Sequence, residues 1–104
     1  MNRARAVAVI DRVVLPADNA TEWVDRMRAE YAPGAAERGM RLADSWWAYV
    51  GPDHIEVTLR WELPDSATFW AMRFAAARDE SVAAWWADTD ALAVERYRVV
   101  GVAQ

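Results

Sequence analysis

Between His54 and Glu62 the chain alternates without a break. Ile55, Val57, Leu59 and Trp61 fall on one phase, and His54, Glu56, Thr58, Arg60 and Glu62 on the other. A period of two residues is that of a β-strand, whose successive side chains point to opposite faces. One phase is apolar and the other polar, so the strand has one covered face and one face without a helical roof. Strands buried on both faces read as continuous apolar runs instead. The chain therefore contains an antiparallel sheet roofed on one side.

The flanking segments supply the rest of the fold. Ala6 to Leu15, AVAVIDRVVL, is rich in β-branched residues and reads as strand 1, ended by Pro16. Asn19 and Glu22 have capping-box spacing, and Trp23, Val24, Met27 and Tyr31 recur at helical intervals. Pro33-Gly34 interrupts that helix, Ala35 to Arg38 gives one more turn, and Gly39 suits the position just past its end. Arg41 to Val50 is strand 2, and Gly51-Pro52-Asp53-His54 is a tight turn into strand 3, Ile55 to Trp61. Pro64-Asp65-Ser66 stops the strand and caps a second helix carrying Phe69, Trp70, Met72 and Phe74. Asp79 has the character of a further N-cap, so this helix breaks near Arg78 and resumes through Val82, Trp85, Trp86 and Leu92. Glu95 to Ala103 is strand 4.

The order β-α-β-β-α-β is that of the ferredoxin-like, split βαβ fold, an α+β class. Its four-stranded antiparallel sheet has the spatial order 4-1-3-2, with both helices on one face. One domain accounts for the 104 residues. A tight turn centred on Pro52 and Asp53 pairs Val50 with Ile55, Ala48 with Val57, Trp46 with Leu59 and Asp44 with Trp61. That register sends Leu42, Asp44, Trp46, Ala48 and Val50 under the helices. It sends Arg41, Ala43, Ser45, Trp47 and Tyr49 to the open face; a slip of one residue exchanges the two sets. By the same logic Arg12, Arg96 and Arg98 belong to the open face, opposite Glu56 and Glu62.

Seven tryptophans are many for a core of this size. Some must remain at the surface, and a large apolar patch marks a partner surface or a ligand site. An indole on an uncovered sheet face finds a second sheet, so a homodimer through the open face is expected. The net charge of −4 comes without a basic stripe, which argues against nucleic acid. No basic block flanks an apolar run, and no membrane association is expected. Two arginines, Arg3 and Arg5, precede the first apolar run, which breaks at Asp11-Arg12, too early for a signal sequence or a membrane span. Cysteine is absent, which excludes disulfides and thiol catalysis and fits a cytoplasmic protein.

The stretch EVTLRWELPDSATFWAMRFAAARDESVAAWW resembles NIPSNAP-like and antibiotic-biosynthesis-monooxygenase-like domains of the dimeric α+β barrel superfamily. The resemblance rests on Trp61 ending a strand, Ser66 at the helix start, Arg73 within the helix, Asp79, and then Trp85 or Trp86. Strand 1 departs from the NIPSNAP pattern, having Ile10 and Arg12 near the places of its usual Arg and Tyr. The resemblance implies two ferredoxin-like sheets packed face to face, with a pocket between the sheet and helices of each subunit. It also implies a choice of chemistries that includes cofactor-independent oxygenation, cyclisation, isomerisation and haem degradation.

Asp11 and Asp44 lie in phase with apolar strand residues and would both project under the helices. A carboxylate in apolar surroundings can act as an acid or base near neutrality, so these two are the catalytic candidates. The bland alternative is that both touch water at strand ends or cap a helix. Trp46, Trp61, Phe69, Trp70, Phe74 and Trp86 would wall the pocket, with Tyr49 and Arg73 at its mouth. Such walls suit a hydrophobic, aromatic or polycyclic small molecule. The expected activity is a metal-free cyclase or isomerase, or a cofactor-independent monooxygenase, with no cofactor. The alternatives are a non-catalytic ligand-binding or structural dimer, and a haem-binding protein using His54. A lone histidine without cysteine gives no zinc set, and no nucleophile elbow or phosphate loop is present.

Overall fold

The computed structural model describes residues 5–104; Arg3, one of the two leading arginines, lies outside them. Strands β1 (Val7–Pro16), β2 (Arg41–Tyr49), β3 (His54–Leu63) and β4 (Glu95–Val102) form one antiparallel sheet in the order β2-β3-β1-β4. Helices α1 (Ala17–Arg26), α2 (Ala32–Glu37), α3 (Ser66–Ala77) and α4 (Glu80–Leu92) complete the expected order. No helix among the described residues is long and apolar enough to cross a membrane.

The alternation that defined β3 is the alternation of burial. Ile55, Val57, Leu59, Trp61 and Leu63 are buried, as are Val7, Val9, Asp11, Val13 and Leu15 of β1. The register pairs these sets directly, Val9 with Trp61 and Val13 with Val57. Directly opposed residues share a face, so one continuous apolar layer lies beneath the helices. Trp23, Met27, Tyr31, Ala35, Phe69, Met72 and Trp85 come down onto it from above.

The caps follow the sequence at three places. Asp65 accepts from the Thr68 backbone N–H at 2.8 Å, and Asp79 from that of Ser81 at 2.9 Å. These bonds stabilise the ionised carboxylates, and both groups lie below the ordinary aspartate range. Gly39 has φ +97°, and the Gly39 and Met40 N–H groups return to the Ala36 and Ala35 carbonyls. That is the Schellman closure of a helix. A Cβ at Gly39 would also stand 2.6 Å from Thr68 Cγ2, on a stiff β-branched side chain. Gly39→Ala is therefore expected to cost at least the roughly 1–2 kcal/mol of a left-handed non-glycine residue. Urea titration of Gly39→Ala with and without Thr68→Ser checks this, the second change recovering only the steric part.

The first helix differs from its expected form. It starts at Ala17, not after Asn19, and Pro16 precedes it without a side-chain cap. Its first N–H is satisfied by the Asp53 carbonyl at 2.8 Å, in the β2–β3 turn. A neighbouring loop thus does the work expected of the Asn19 side chain. Pro33 does not end the helix either. The backbone widens into a π-helical turn over Met27–Tyr31 and continues as α2, with Pro33 in its first turn. Proline lacks the N–H that a continuous α-helix would use, and a first turn tolerates this. The wider turn carries Met27 and Tyr31 into the core.

The β2–β3 register is one residue away from the expected one. The innermost pair is Tyr49 with Ile55, followed by Ala48 with Glu56, Trp47 with Val57, Trp46 with Thr58 and Ser45 with Leu59. Asp44 pairs with Arg60, and a bulge at Ala43 then brings Leu42 opposite Trp61. Trp47, Ser45 and Tyr49 are consequently on the helix side, and Trp46, Asp44 and Ala48 on the open side. The expected turn was one residue too short. β2 is an edge strand with no fully buried residue, so neither face fixes its register by burial. The expectation for β4 is reversed as well. Arg98 pairs with Asp11 and Arg96 with Val13, which puts both arginines on the helix side. Arg12 alone of the three is on the open face, opposite Tyr97 and Thr58.

Candidate functional site

Two places under the helical layer were candidates for a site, and only one of them is open. The first surrounds Asp11. Trp61 Nε1 donates to Asp11 Oδ2 at 2.9 Å, Arg98 Nε to Oδ1 at 2.6 Å and Arg98 Nη2 to Oδ2 at 2.9 Å. The carboxylate is 3% exposed and meets three donors. Burial alone would lower the Arg98 pKa. The bonds and charge of Asp11, joined by the phenol of Tyr31, outweigh that and raise it above the ordinary arginine value.

Aromatic rings close the space around this pair. Tyr31 stacks on Trp85 at 5.7 Å and meets Trp61 and Trp86 edge-on at 5.6 and 5.4 Å. Trp23 lies 5.5 Å from Trp85 and donates from Nε1 to Thr89 Oγ1 at 3.1 Å. The guanidiniums of Arg96 and Arg98 lie 4.6 and 5.6 Å from the Trp86 ring. Arg96 is held in turn by Asp90, which lowers the Asp90 pKa. This cluster is an ion pair set in a packed aromatic core. A cavity bringing Asp11 and Asp44 together is not formed. Asp44 lies on the open face, bonded to Arg60 from Nε at 3.0 Å.

The second place is a cleft of about 230 Å³ between α1 and β2, lined by Thr21, Val24, Asp25, Arg28, Ser45, Trp46, Trp47 and Val57. The slipped register creates it, because it turns Trp47 and Ser45 toward the helix. Arg28, in the π-helical turn, crosses to the strand and donates to Ser45 Oγ at 2.7 Å. Apolar groups from Val24, Trp47 and Val57 thus lie beside one carboxylate and one guanidinium. Sequence reasoning missed Trp47, Val24, Asp25 and Arg28 as site residues. The helical spacing that marked Val24 also puts Arg28 one turn further along the same face, which was the available signal.

The remaining expected wall residues separate. Trp46 lines the cleft from the open-face side of β2. Trp61 and Phe69 are core, Phe69 meeting Trp70 edge-on at 5.3 Å. Trp70 and Phe74 are exposed on α3, 56% and 65%, with Arg73 exposed beside them. Trp86 is half-buried under its two arginines. Tyr49 is exposed at the end of β2. His54 borders a separate pocket of about 240 Å³ with Pro16, Ala17, Asp18 and Asp53. That space is flanked by two carboxylates, Asp18 and Asp53, and is too small for a macrocycle of porphyrin size. No group of three or more His, Asp or Glu residues among those described is placed to hold a metal ion.

The open face of the sheet is apolar at Ile10, Val14, Trp46 and Val99 and charged between them. Its charges, apart from Glu95 opposite Val14 on the edge strand, are paired within the chain. Arg60 bridges Asp44 and Glu62, Arg41 also reaches Glu62, and Arg12 lies 3.6 Å from Glu56 while donating to the Tyr97 hydroxyl. The bonds to Asp44 and Glu62 raise the Arg60 pKa above its ordinary value.

No protein-family model matches the chain, and no curated protein does. Solved structures do match in fold. A NIPSNAP family protein from Agrobacterium tumefaciens superposes with a TM-score of 0.74 at 13% identity, over 100% of this chain and 90% of its own. An uncharacterised NIPSNAP domain protein from Burkholderia xenovorans gives 0.72 at 18% identity over 94% of each chain. A protein from Nitrosomonas europaea, proposed as an antibiotic biosynthesis monooxygenase, gives 0.68 at 12% identity over 99% of this chain and 94% of its own.

Proposed function

We propose that this chain, whose fold is that of the NIPSNAP and antibiotic-biosynthesis-monooxygenase structures, binds a small, flat, largely apolar molecule in the cleft between α1 and β2. The cleft with its indole and two valines is the observation that carries this reading. Its volume suits one or two fused rings, the small end of the aromatic or polycyclic ligands expected from the tryptophan count. The test is titration with 2-naphthol followed by protein NMR. Shifts centred on Val24, Trp47 and Val57, lost in Trp47→Ala, are expected; shifts scattered elsewhere would refute the reading.

The protein works as a two-fold dimer closed through the open sheet face. Two observations support this. Ile10, Val14, Trp46 and Val99 would otherwise face water, and the charges between them, except Glu95 on the edge strand, already have partners. A second sheet therefore need not bury an uncompensated charge as long as Glu95, at the sheet edge, stays at the rim. Sedimentation is expected to give twice the 11.8 kDa chain mass. Val99→Glu, on an exposed position of that face, is expected to give single chains that remain folded. Single chains in the unaltered protein would end the dimer reading.

An enzymatic role of the kind proposed for the Nitrosomonas protein is the second reading. It is favoured by the presence of one carboxylate, Asp25, on the cleft wall, where neither Asp11 nor Asp44 reaches. Oxygen consumption with 1,4-dihydroxynaphthalene, above the buffer rate and lost in Asp25→Asn, is expected on that reading; unchanged consumption in the variant rejects it.

A further inference from the structure

The cleft combines an apolar floor with an arginine that has no acidic partner among the described residues. Its neighbour Arg26 is neutralised by Glu30 at 3.0 Å, one turn along the helix. Arg60, Arg96 and Arg98 are each held by carboxylates. Arg28 instead donates one N–H to the neutral Ser45 hydroxyl. A guanidinium has five such donors in a planar fork that matches a carboxylate. The bond to Ser45 holds the group across the cleft, so its position is set before a ligand arrives.

We infer that the ligand of this cleft is an aromatic acid, its ring on Trp47, Val24 and Val57 and its carboxylate on Arg28. This rests on the cleft reading above and specifies the ligand class. The ring removes apolar surface from water, and the carboxylate gives the guanidinium the charged partner it lacks. Asp25, three residues before Arg28, lines the same cleft. Its carboxylate repels a second negative charge, so the fitting ligand has one acid group and not two. A charge-assisted hydrogen bond in a partly open cleft is worth about a ten-fold preference for the acid over its neutral amide.

The experiment compares 2-naphthoate with 2-naphthamide by ligand-observed NMR titration, using the full chain and its Arg28→Met and Trp47→Ala variants. Both positions are exposed, and circular dichroism verifies that the variants are folded. The acid is expected to bind about ten-fold tighter than the amide. Arg28→Met is expected to remove that preference by weakening the acid about ten-fold more than the amide, while Trp47→Ala weakens both. Equal binding of acid and amide, or a preference that survives Arg28→Met, overturns the inference and leaves the cleft reading in place. Failure of both probes to bind, or binding indifferent to Trp47→Ala, overturns the cleft reading and this inference with it.

Discussion

Asp11→Ala is expected to lower the unfolding free energy by about 3–5 kcal/mol, the range for removing one partner of a buried ion pair. Three donors lose their acceptor at once, two from Arg98 and one from Trp61. The Arg98 side chain is only 25% exposed, so its charge is left with little water to replace the carboxylate. Asp11→Asn keeps an oxygen for the Trp61 N–H and is expected to fall between the variant and the parent. The double change Asp11→Leu with Arg98→Met removes both charges and is expected to be less destabilised than Asp11→Ala. Urea unfolding of the four proteins reads these differences. A loss below about 1 kcal/mol in Asp11→Ala would mean that the pair stands in water and is worth what a surface pair is worth.

Trp61→Ala is expected to cost a similar amount, about 3–5 kcal/mol, for the transfer and cavity terms of a large buried ring. Trp61 is fully buried, lies edge-on to Tyr31 at 5.6 Å and orients Asp11. Trp61→Phe retains most of the ring but removes the N–H, and is expected to cost about 1 kcal/mol in lost hydrogen bonding besides its smaller volume. Because Trp61 and Asp11 touch, their effects should not add. A double-mutant cycle over Trp61→Phe and Asp11→Ala, each of which removes one end of the Nε1–Oδ2 bond, measures that coupling by thermal unfolding. Strict additivity would show that the Nε1–Oδ2 contact contributes nothing.

These effects come from residues whose positions were legible in different degrees. The strict alternation from His54 to Glu62 located β3, its covered face and Trp61 within that face. Asp65, Asp79 and Gly39 marked real helix ends, because each acts through atoms two or three residues away. Asp11 was legible as a carboxylate on an apolar strand phase. Its partner was not, since Arg98 is 87 residues distant and β4 mixes charged and apolar residues on both phases. From the sequence alone a buried acid reads as a catalytic candidate; the structure shows that it is also the acceptor of a buried ion pair.

The tryptophan pair shows the same limit more sharply. Adjacency on a strand required Trp46 and Trp47 to face opposite ways. Which one faced the helices depended on a turn length and a bulge at Ala43. β2 has one neighbour and no buried face, so no burial energy in its own pattern selects the register. The proposed binding cleft depends on that choice, because the observed register brings Trp47 and Ser45 beside Arg28.

The sequence by itself determined the order of elements, the roofed sheet and the central strands, because those follow from periodicities and caps acting over a few residues. Only the tertiary structure decided the β2 register, the partner of Asp11 and the place of the cleft. Each of these is set by contacts between segments far apart in the chain, at strands whose own side-chain patterns suit either face.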